Sequence, residues 1–273
     1  MVERWVNEIK DALFRSVSQV RDVSIAFSGG LDSAILTHIV GWDITSPDVT
    51  SPDVTSPNVT RSNVSLYTAC APHTHDAKIA PEAAELLGFP LTLIDMSEED
   101  VERALPSLIE TINTTNPVEV SISIPLYFVA RGTAERTIIS GQGADELFGG
   151  YARYLQMDPV TLREEMERDY QRLLSIGVSR DHAIAHRFGK SLHTPYLDPK
   201  VVALANELPT PYKIRDGERK MILRDVGREI GLPQEIIDRE KKAMQYSSGS
   251  MRLIRRLAKR AGLHLEGYLR SLG

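Results

Sequence analysis

Apolar positions divide the first part of the chain into strands that alternate with helices. Residues 2–20 carry apolar side chains three and four positions apart, which predicts a helix with one apolar face. Short apolar runs predict strands at 23–27, 64–70, 91–94 and 137–140, and helical patterns occupy 33–41, 76–87 and 118–132, with another helix starting at 97–100. This alternation favours an α/β fold, a parallel sheet with helices on both faces. Ligands bind such sheets at the carboxyl ends of the strands.

The pattern becomes mainly helical after residue 157. Helices are predicted at 160–176, 180–188, 199–208, 218–230 and 233–238, and residues 252–260 form a basic amphipathic pattern. We interpret residues 158–273 as a helical C-terminal lobe that closes over the sheet edge. Residues 1–157 then form the α/β part, and the two parts pack as one unit.

A repeat interrupts the α/β part. A five-residue unit occurs four times in succession between Thr45 and Val64, and its first three copies read Thr-Ser-Pro-Asp/Asn-Val. Proline removes a main-chain donor, and Asp, Asn, Ser and Thr favour turns, so a helix or a regular strand is disfavoured. The period is too short for a solenoid unit. We interpret residues 44–63 as a surface insertion, with a partner-binding or lid loop as the alternative.

Composition is that of a globular protein. Hydrophobic residues make up 42% and charged residues 25%, and the net charge of −5 gives no reason to expect nucleic acid as a partner. The single cysteine, Cys70, excludes an internal disulfide framework. The N-terminus has no basic segment followed by an apolar block, and no apolar run has the length of a membrane span. We therefore expect a cytoplasmic protein without membrane contacts.

A hexapeptide joins the first predicted strand to the helix that follows it. It reads Ser28, Gly29, Gly30, Leu31, Asp32 and Ser33. A Gly-Gly pair alone is typical of an ordinary turn, and the Walker pattern is absent because no Gly-Lys-Ser/Thr follows. The glycines let the main chain approach a ligand, the serines add hydroxyl donors, and a helix N-terminus attracts negative charge. The stretch therefore predicts a phosphate-binding loop.

A second Gly-containing turn follows the strand at 137–140. It begins Ser140-Gly141-Gln142-Gly143 and continues through Asp145 and Glu146 to Gly149-Gly150-Tyr151. The two carboxylates could simply stabilise the positive end of a helix dipole. They also suit a hard cation, because carboxylate oxygens are typical magnesium ligands. We predict that Asp32 and Asp145 share one magnesium ion.

These motifs carry a family resemblance. The hexapeptide resembles the PP-loop of ATP pyrophosphatases, and together the two motifs closely resemble the synthetase domain of asparagine synthetases and β-lactam synthetases. Weaker matches are Thr194-Pro-Tyr-Leu-Asp198, Arg219-Lys220-x3-Arg224 and Arg239-x-Lys241-Lys242-Ala243. The resemblance covers nearly the whole chain apart from the repeat. It implies an adenine nucleotide α-hydrolase-like fold that uses ATP and Mg²⁺.

The resemblance also implies roles for single residues. The Ser28 loop would hold pyrophosphate, Asp32 and Asp145 would bind magnesium, and Lys241 would neutralise the charge that develops during adenylylation. The residues expected along the nucleotide are Ser140, Gly141 and Gln142, those expected at the edge of the adenine are Tyr67, Thr68 and Ala69, and those expected to face the second substrate are Glu146 and Tyr151.

The implied reaction is amide formation. An ATP-dependent ligase of this kind adenylylates a carboxylate, for which aspartate is the first candidate, releases pyrophosphate and transfers the acyl group to ammonia or an amine. Because the chain starts at Met1 without a glutaminase domain, a separate glutaminase subunit is one expected nitrogen source. A homo-oligomer is left open.

The chain also departs from the family pattern. Gln142 stands in place of a Glu, and Ser191 and His193 replace the Glu and Arg of Glu-x-Arg-x-Pro. We expect these changes around the acceptor pocket. They keep two alternatives open, an RNA-modifying PP-loop enzyme and a non-catalytic nucleotide-binding or regulatory homologue.

Overall fold

The structure is a computed structural model that describes residues 2–41, 64–239 and 244–273. The predicted insertion at 44–63 and the predicted catalytic residue Lys241 lie outside the described residues. The strands are β1 (Val23–Ala26), β2 (Val64–Cys70), β3 (Leu91–Asp95), β4 (Thr137–Ile139), β5 (Ser191–His193), β6 (Ile214–Arg215) and β7 (Glu218–Arg219). The helices are α1 (Val2–Val17), α2 (Leu31–Gly41), α3 (His75–Leu87), α4 (Glu98–Ile112), α5 (Pro117–Gly132), α6 (Ala144–Phe148), α7 (Pro159–Arg172), α8 (Val178–Arg187), α9 (Pro199–Glu207), α10 (Met221–Glu229), α11 (Gln234–Ile237), α12 (Met244–Ser247), α13 (Ser250–Arg260) and α14 (Leu265–Arg270).

A parallel sheet organises the described residues. Five strands pair in the order β3-β2-β1-β4-β5, and every pair in this sheet is parallel. The chain therefore places β1 and β4 side by side at the centre, so that the loops following these two strands meet at one edge. This confirms the predicted α/β class with a parallel sheet.

Two apolar cores cover the two faces of the sheet. One contains Val23 and Ile25 of β1 and packs beneath α1, α2, α9 and α10. The other contains Ile138 of β4 and packs beneath α4, α5, α8 and α13. Both cores include residues from before and after the proposed division at residue 157, which stays a prediction.

Local chemistry explains several helix ends. Asn116 caps α5, because its side-chain oxygen accepts hydrogen bonds from the main-chain N–H groups of Val118 and Glu119 at 2.9 and 3.2 Å. Gly88 ends α3 in the left-handed conformation, at φ 70°, that glycine adopts without strain. Among the described residues, no helix combines the length and apolar character needed to cross a membrane.

The structure corrects four element predictions. Helix α1 ends at Val17 instead of residue 20, and the helices predicted at 160–176 and 180–188 are joined by a π-helical turn at 173–177. Residues 218–219 belong to a two-stranded hairpin, so that helix α10 begins only at Met221. Strand β5 was not predicted, because its three residues include one buried apolar side chain, Leu192, and no sustained pattern.

Candidate active site

The Ser28–Ser33 loop lies between β1 and α2, at the carboxyl edge of the sheet. The Ser33 hydroxyl donates to the carbonyl of Gly30 at 3.1 Å and accepts from the main-chain N–H of Ser28 at 3.3 Å, so it shapes the loop from within. Ser28 itself is exposed. Because α2 begins at Leu31, the first turn of this helix points its N–H groups towards the same edge. This is a suitable site for phosphate oxygens.

Glycine occupies the two positions of the loop, Gly29 and Gly30, for different structural reasons. Gly29 has φ +73°, and an added Cβ would lie 2.9 Å from the Cα of Ala80 in α3, so this position is glycine because a helix packs against it. At Gly30 the nearest neighbour of an added Cβ is the Ser28 hydroxyl at 3.4 Å. The open side of the loop is therefore at Gly30.

The second Gly-containing turn packs directly against this loop. An added Cβ at Gly141 would lie 3.4 Å from the Cβ of Asp32 and 3.8 Å from the main-chain nitrogen of Ser33. The Ser140 hydroxyl accepts from the Gln142 N–H at 3.3 Å, and helix α6 then starts with Asp145 and Glu146 in its first turn. The structure thus brings the two sequence motifs together at one point.

The Asp32 and Asp145 carboxylates meet at the ammonium group of Lys220. The Lys220 Nζ lies 2.5 Å from Asp32 Oδ2 and 2.7 Å from Asp145 Oδ1. The three side chains are only 7% to 14% exposed. The predicted convergence of the two carboxylates is present, and a lysine joins them. Their shared magnesium ion stays a prediction.

Several contacts hold this ion cluster in place. An added Cβ at Gly150 would lie 1.8 Å from Asp145 Oδ1 and 2.4 Å from Lys220 Cε, so only glycine leaves room for the cluster. The buried Tyr196 donates its hydroxyl to the main-chain carbonyl of Asp32 at 3.1 Å. Lys220 has a left-handed main chain at φ 58°, which is unusual for a residue with a side chain.

Glu146 and Tyr151, predicted to face the second substrate, contact each other. The Tyr151 hydroxyl donates to Glu146 Oε1 at 2.5 Å. Burial and the neighbouring Glu146 charge raise the pKa of Tyr151 well above its ordinary value, so the phenol stays a hydrogen-bond donor at neutral pH. The Arg153 guanidinium stacks 4.5 Å from the centre of the Tyr151 ring. The pair lies near Asp145, whose charge also raises the pKa of Tyr151.

Gln142 points to a buried ionic network instead of a catalytic carboxylate. Its Nε2 donates to Asp181 Oδ2 at 2.5 Å, and Arg180 bridges Asp181, with Nε 2.8 Å from Asp181 Oδ1, to Glu119. Burial raises the pKa of Asp181, and the Arg180 charge opposes that shift. A carboxamide at position 142 donates to this buried carboxylate, which an ionised Glu could not do.

Ser191 and His193, both expected around the acceptor pocket, lie at opposite ends of β5, with His193 at the carboxyl end beside Ile139. Their assignment to an acceptor pocket stays a prediction. Ser191 is at the amino end of β5, where its hydroxyl lies 3.1 Å from the Thr137 hydroxyl, so it is at the opposite edge of the sheet. The His193 Nε2 lies 2.8 Å from the main-chain oxygen of Ser16 in α1. Both side chains serve contacts between elements.

The adenine-edge residues are part of the sheet. Tyr67 and Ala69 are buried in the core beneath α5 and α13, and the Thr68 hydroxyl donates to the carbonyl of Phe27 at 2.5 Å. Their side chains are therefore occupied by packing, and a base at this edge would contact the main chain where β2 ends. Their assignment to a nucleotide stays a prediction.

The donor set fits a magnesium ion that arrives with a nucleotide. Mg²⁺ is usually held by one or two carboxylates together with substrate phosphates, and Asp32 and Asp145 meet next to the predicted phosphate-binding loop. Within the described ranges, no group of three or more His, Cys, Asp or Glu side chains is placed to hold a metal. The convergent carboxylates therefore suit a metal that also has phosphate ligands.

Sequence reasoning missed Lys220 as a member of the site. It noted the lysine within the Arg219-Lys220-x3-Arg224 motif and assigned no role to it. Lys220 is 188 positions away from Asp32 in the chain, and nothing in local sequence shows that the two meet. The motif was the available signal. Lysine is almost never fully buried unless it is paired, so a buried Lys220 implies nearby carboxylates.

Comparison with known proteins identifies the family. The asparagine synthase family model matches residues 6–161 and 156–271. An asparagine synthetase homologue of the glutamine-hydrolysing class from Methanocaldococcus jannaschii is 27% identical over 93% of this chain and 51% of its own length. Asparagine synthetase B, glutamine-hydrolysing, from Escherichia coli is 29% identical over 89% of this chain and 45% of its own.

A solved structure, NMN synthetase from Francisella tularensis, is similar over 99% of this chain and 87% of that one, with 14% identity and a TM-score of 0.45. The chain spans about half the length of the two asparagine synthetase relatives above. The family model matches both motifs and nearly all of the chain that surrounds them. The chain therefore belongs to the asparagine synthase family.

Proposed function

We propose that the protein is an ATP-dependent ligase that forms an amide by way of an acyl-adenylate. The observation that carries the proposal is the meeting of the phosphate-binding loop with the Asp32, Asp145 and Lys220 cluster, which puts oxygen ligands and a cation beside one anion site. Family membership supports the ligase class. We propose aspartate as the first candidate for the carboxylate.

The proposed reaction has two steps. A carboxylate oxygen of the substrate attacks the α-phosphorus of ATP, and the bond to pyrophosphate breaks, so that pyrophosphate leaves with the electron pair. The nitrogen of ammonia or an amine then attacks the acyl carbon, AMP leaves, and the nitrogen loses a proton. No protein nucleophile is needed, so catalysis rests on positioning and charge stabilisation.

The residues of the site divide this work. The Ser28 hydroxyl and the first turn of α2 would bind phosphate oxygens, and Lys220 supplies a positive charge next to them. Asp32 and Asp145 would hold magnesium, which when bound screens phosphate charge. The Tyr151 hydroxyl and the Glu146 carboxylate would orient the second substrate.

Nitrogen supply is part of the proposal. Free ammonia, an amine substrate or ammonia released by a glutaminase would each complete the second step. Glutamine and ammonia can be compared directly with the purified chain, since amide formation with ammonia alone shows that the synthetase site works by itself.

Exchange of labelled pyrophosphate into ATP tests the first step. The purified protein with ATP, magnesium and a panel of carboxylic acids that includes aspartate should show exchange that depends on one acid. Asp32→Asn should abolish the exchange, and Asp11→Asn, an exposed aspartate on α1, should leave it unchanged. If no acid supports exchange although ATP binds, the proposed reaction is wrong.

A further inference from the structure

The Asp32 and Asp145 carboxylates repel each other, and the Lys220 ammonium offsets that repulsion. Two carboxylates that face each other in a poorly solvated site repel, and the side chains here are 14% and 13% exposed. The Lys220 ammonium is placed within ion-pair distance of both carboxylates. That ammonium lies between the two oxygen groups that suit a divalent cation.

The main chain fixes where this ammonium can be. Lys220 is the N-cap residue immediately before helix α10, and its carbonyl accepts from the Arg224 N–H at 3.0 Å. The preceding Arg219 donates to the Gly150 carbonyl at 2.7 Å, which ties the hairpin to the residues that follow helix α6. A left-handed lysine is retained only where the surroundings hold it, and such residues cluster at functional sites.

A tethered charge competes strongly with a free ion. Because Lys220 belongs to the same chain, its ammonium is present at a high effective concentration beside the two carboxylates. A hydrated divalent cation would have to lose water and displace this ammonium at the same time, and Mg²⁺ dehydrates reluctantly. A nucleotide changes this balance, since its phosphates supply further oxygen ligands and also a new partner for the lysine.

We propose that Lys220 is a built-in substitute for the metal. Without nucleotide, its ammonium balances Asp32 and Asp145 and keeps free divalent cations out of the site. The carboxylates become available to a metal only when phosphate oxygens draw the ammonium away. Lys220 is thus a positioning residue that makes metal binding depend on ATP, and the inference rests on the proposed function for the identity of the metal.

Binding of Mn²⁺ in the absence of nucleotide tests this inference. Mn²⁺ stands in for Mg²⁺, and the loss of the free-ion electron paramagnetic resonance signal measures its binding. We expect Lys220→Met, which keeps the length of the side chain and removes its charge, to bind one Mn²⁺ at least about tenfold more tightly than the wild-type protein does. Asp145→Asn added to Lys220→Met should abolish that binding.

A matched control separates this effect from the general loss of a positive charge. Lys10→Met removes a lysine whose ammonium pairs with the single carboxylate of Glu229 at 3.1 Å, and we expect it to bind Mn²⁺ as the wild-type protein does. Equal Mn²⁺ affinity for Lys220→Met and the wild-type protein would overturn the inference.

Two further measurements keep the test decisive if Lys220→Met folds poorly. Thermal unfolding of this variant should shift upwards when Mn²⁺ is added, and the wild-type transition should not. The wild-type protein alone gives the reverse test: Mn²⁺ binding without nucleotide that Asp145→Asn removes would contradict the inference. Neither experiment contains ATP or a carboxylic acid, so failure of pyrophosphate exchange and failure of this inference are separate results.

Discussion

Gly150 is the position where a single methyl group should do the most damage to the site. An alanine Cβ there would lie 1.8 Å from Asp145 Oδ1, 2.7 Å from Asp145 Cγ and 2.4 Å from Lys220 Cε. All three distances are far below van der Waals contact, so the carboxylate and the lysine must both move. The two are paired at 2.7 Å, and moving either one weakens that ion pair.

The size of the effect follows from these contacts. Overpacking costs about 1–3 kcal/mol, and loss of a partner from a buried ion pair costs up to about 3–5 kcal/mol. Because both charges stay in the protein and can adjust, we expect Gly150→Ala to lower the free energy of unfolding by about 2–4 kcal/mol. The melting temperature should fall by about 5–10 °C. Pyrophosphate exchange should fall about 100-fold or more, since a displacement of about 1 Å in a reacting site can lower the rate by that much.

Calorimetry and pyrophosphate exchange measure the two effects. Gly267→Ala is the matched control, because Gly267 lies in helix α14 and an added Cβ meets no atom within 4 Å. Alanine in a helix is favoured over glycine by about 0.5–1 kcal/mol, so this control should be as stable as the wild-type protein or slightly more stable. A Gly150→Ala protein with unchanged melting temperature and exchange would contradict this prediction, because it would show that the ion cluster is not tightly packed.

Three other predictions concern neighbouring groups. Tyr151→Phe removes the hydroxyl that donates to Glu146, so the KM of the carboxylate substrate should rise in exchange assays while ATP affinity, measured by calorimetry, should not change. Burial raises the pKa of Asp181, so the folded protein binds a proton on this carboxyl more tightly than the unfolded chain does. The contribution of the protonated carboxyl to the free energy of unfolding is therefore lost as pH rises. Gln142→Glu sets a second carboxylate against Asp181, so its melting temperature should be lower than that of the wild-type protein by more at pH 8 than at pH 5; an equal deficit at both pH values would contradict this. Burial raises the pKa of Cys70 to about 11, so a thiol reagent at pH 8 should label it only on unfolding, as stopped-flow absorbance with and without denaturant would show.

The fold was largely predictable where local patterns are long. Strands β1 to β4 carry apolar runs bounded by turn signals. Because these strands alternate with helices along the chain, a parallel sheet could be predicted. Strand β5 has three residues, and it is a strand only because β4 offers it main-chain partners at Thr137–Ile139. Pairing of this kind depends on distant parts of the chain, so no local sequence pattern predicts it.

Residue roles at the site divide in the same way. Asp32 and Asp145 follow predicted strands, so their convergence could be expected from the rule that parallel strands end at one edge. Family motifs do not state which edge of a sheet a residue occupies, so the positions of Ser191 and His193 at opposite ends of β5 could not be expected from sequence. Their side chains contact Thr137 and α1.

Local sequence accounts for the two Gly-containing turns, since a strand, glycines and a helix start are local features whose main-chain geometry follows from neighbouring residues. It also accounts for the alternation of strands and helices that makes the sheet parallel. The meeting of Lys220 with Asp32 and Asp145, and the contact of Gln142 with Asp181, are seen only in the folded chain. Ion pairs and buried hydrogen bonds form between groups that packing brings together, and packing is set by the whole chain.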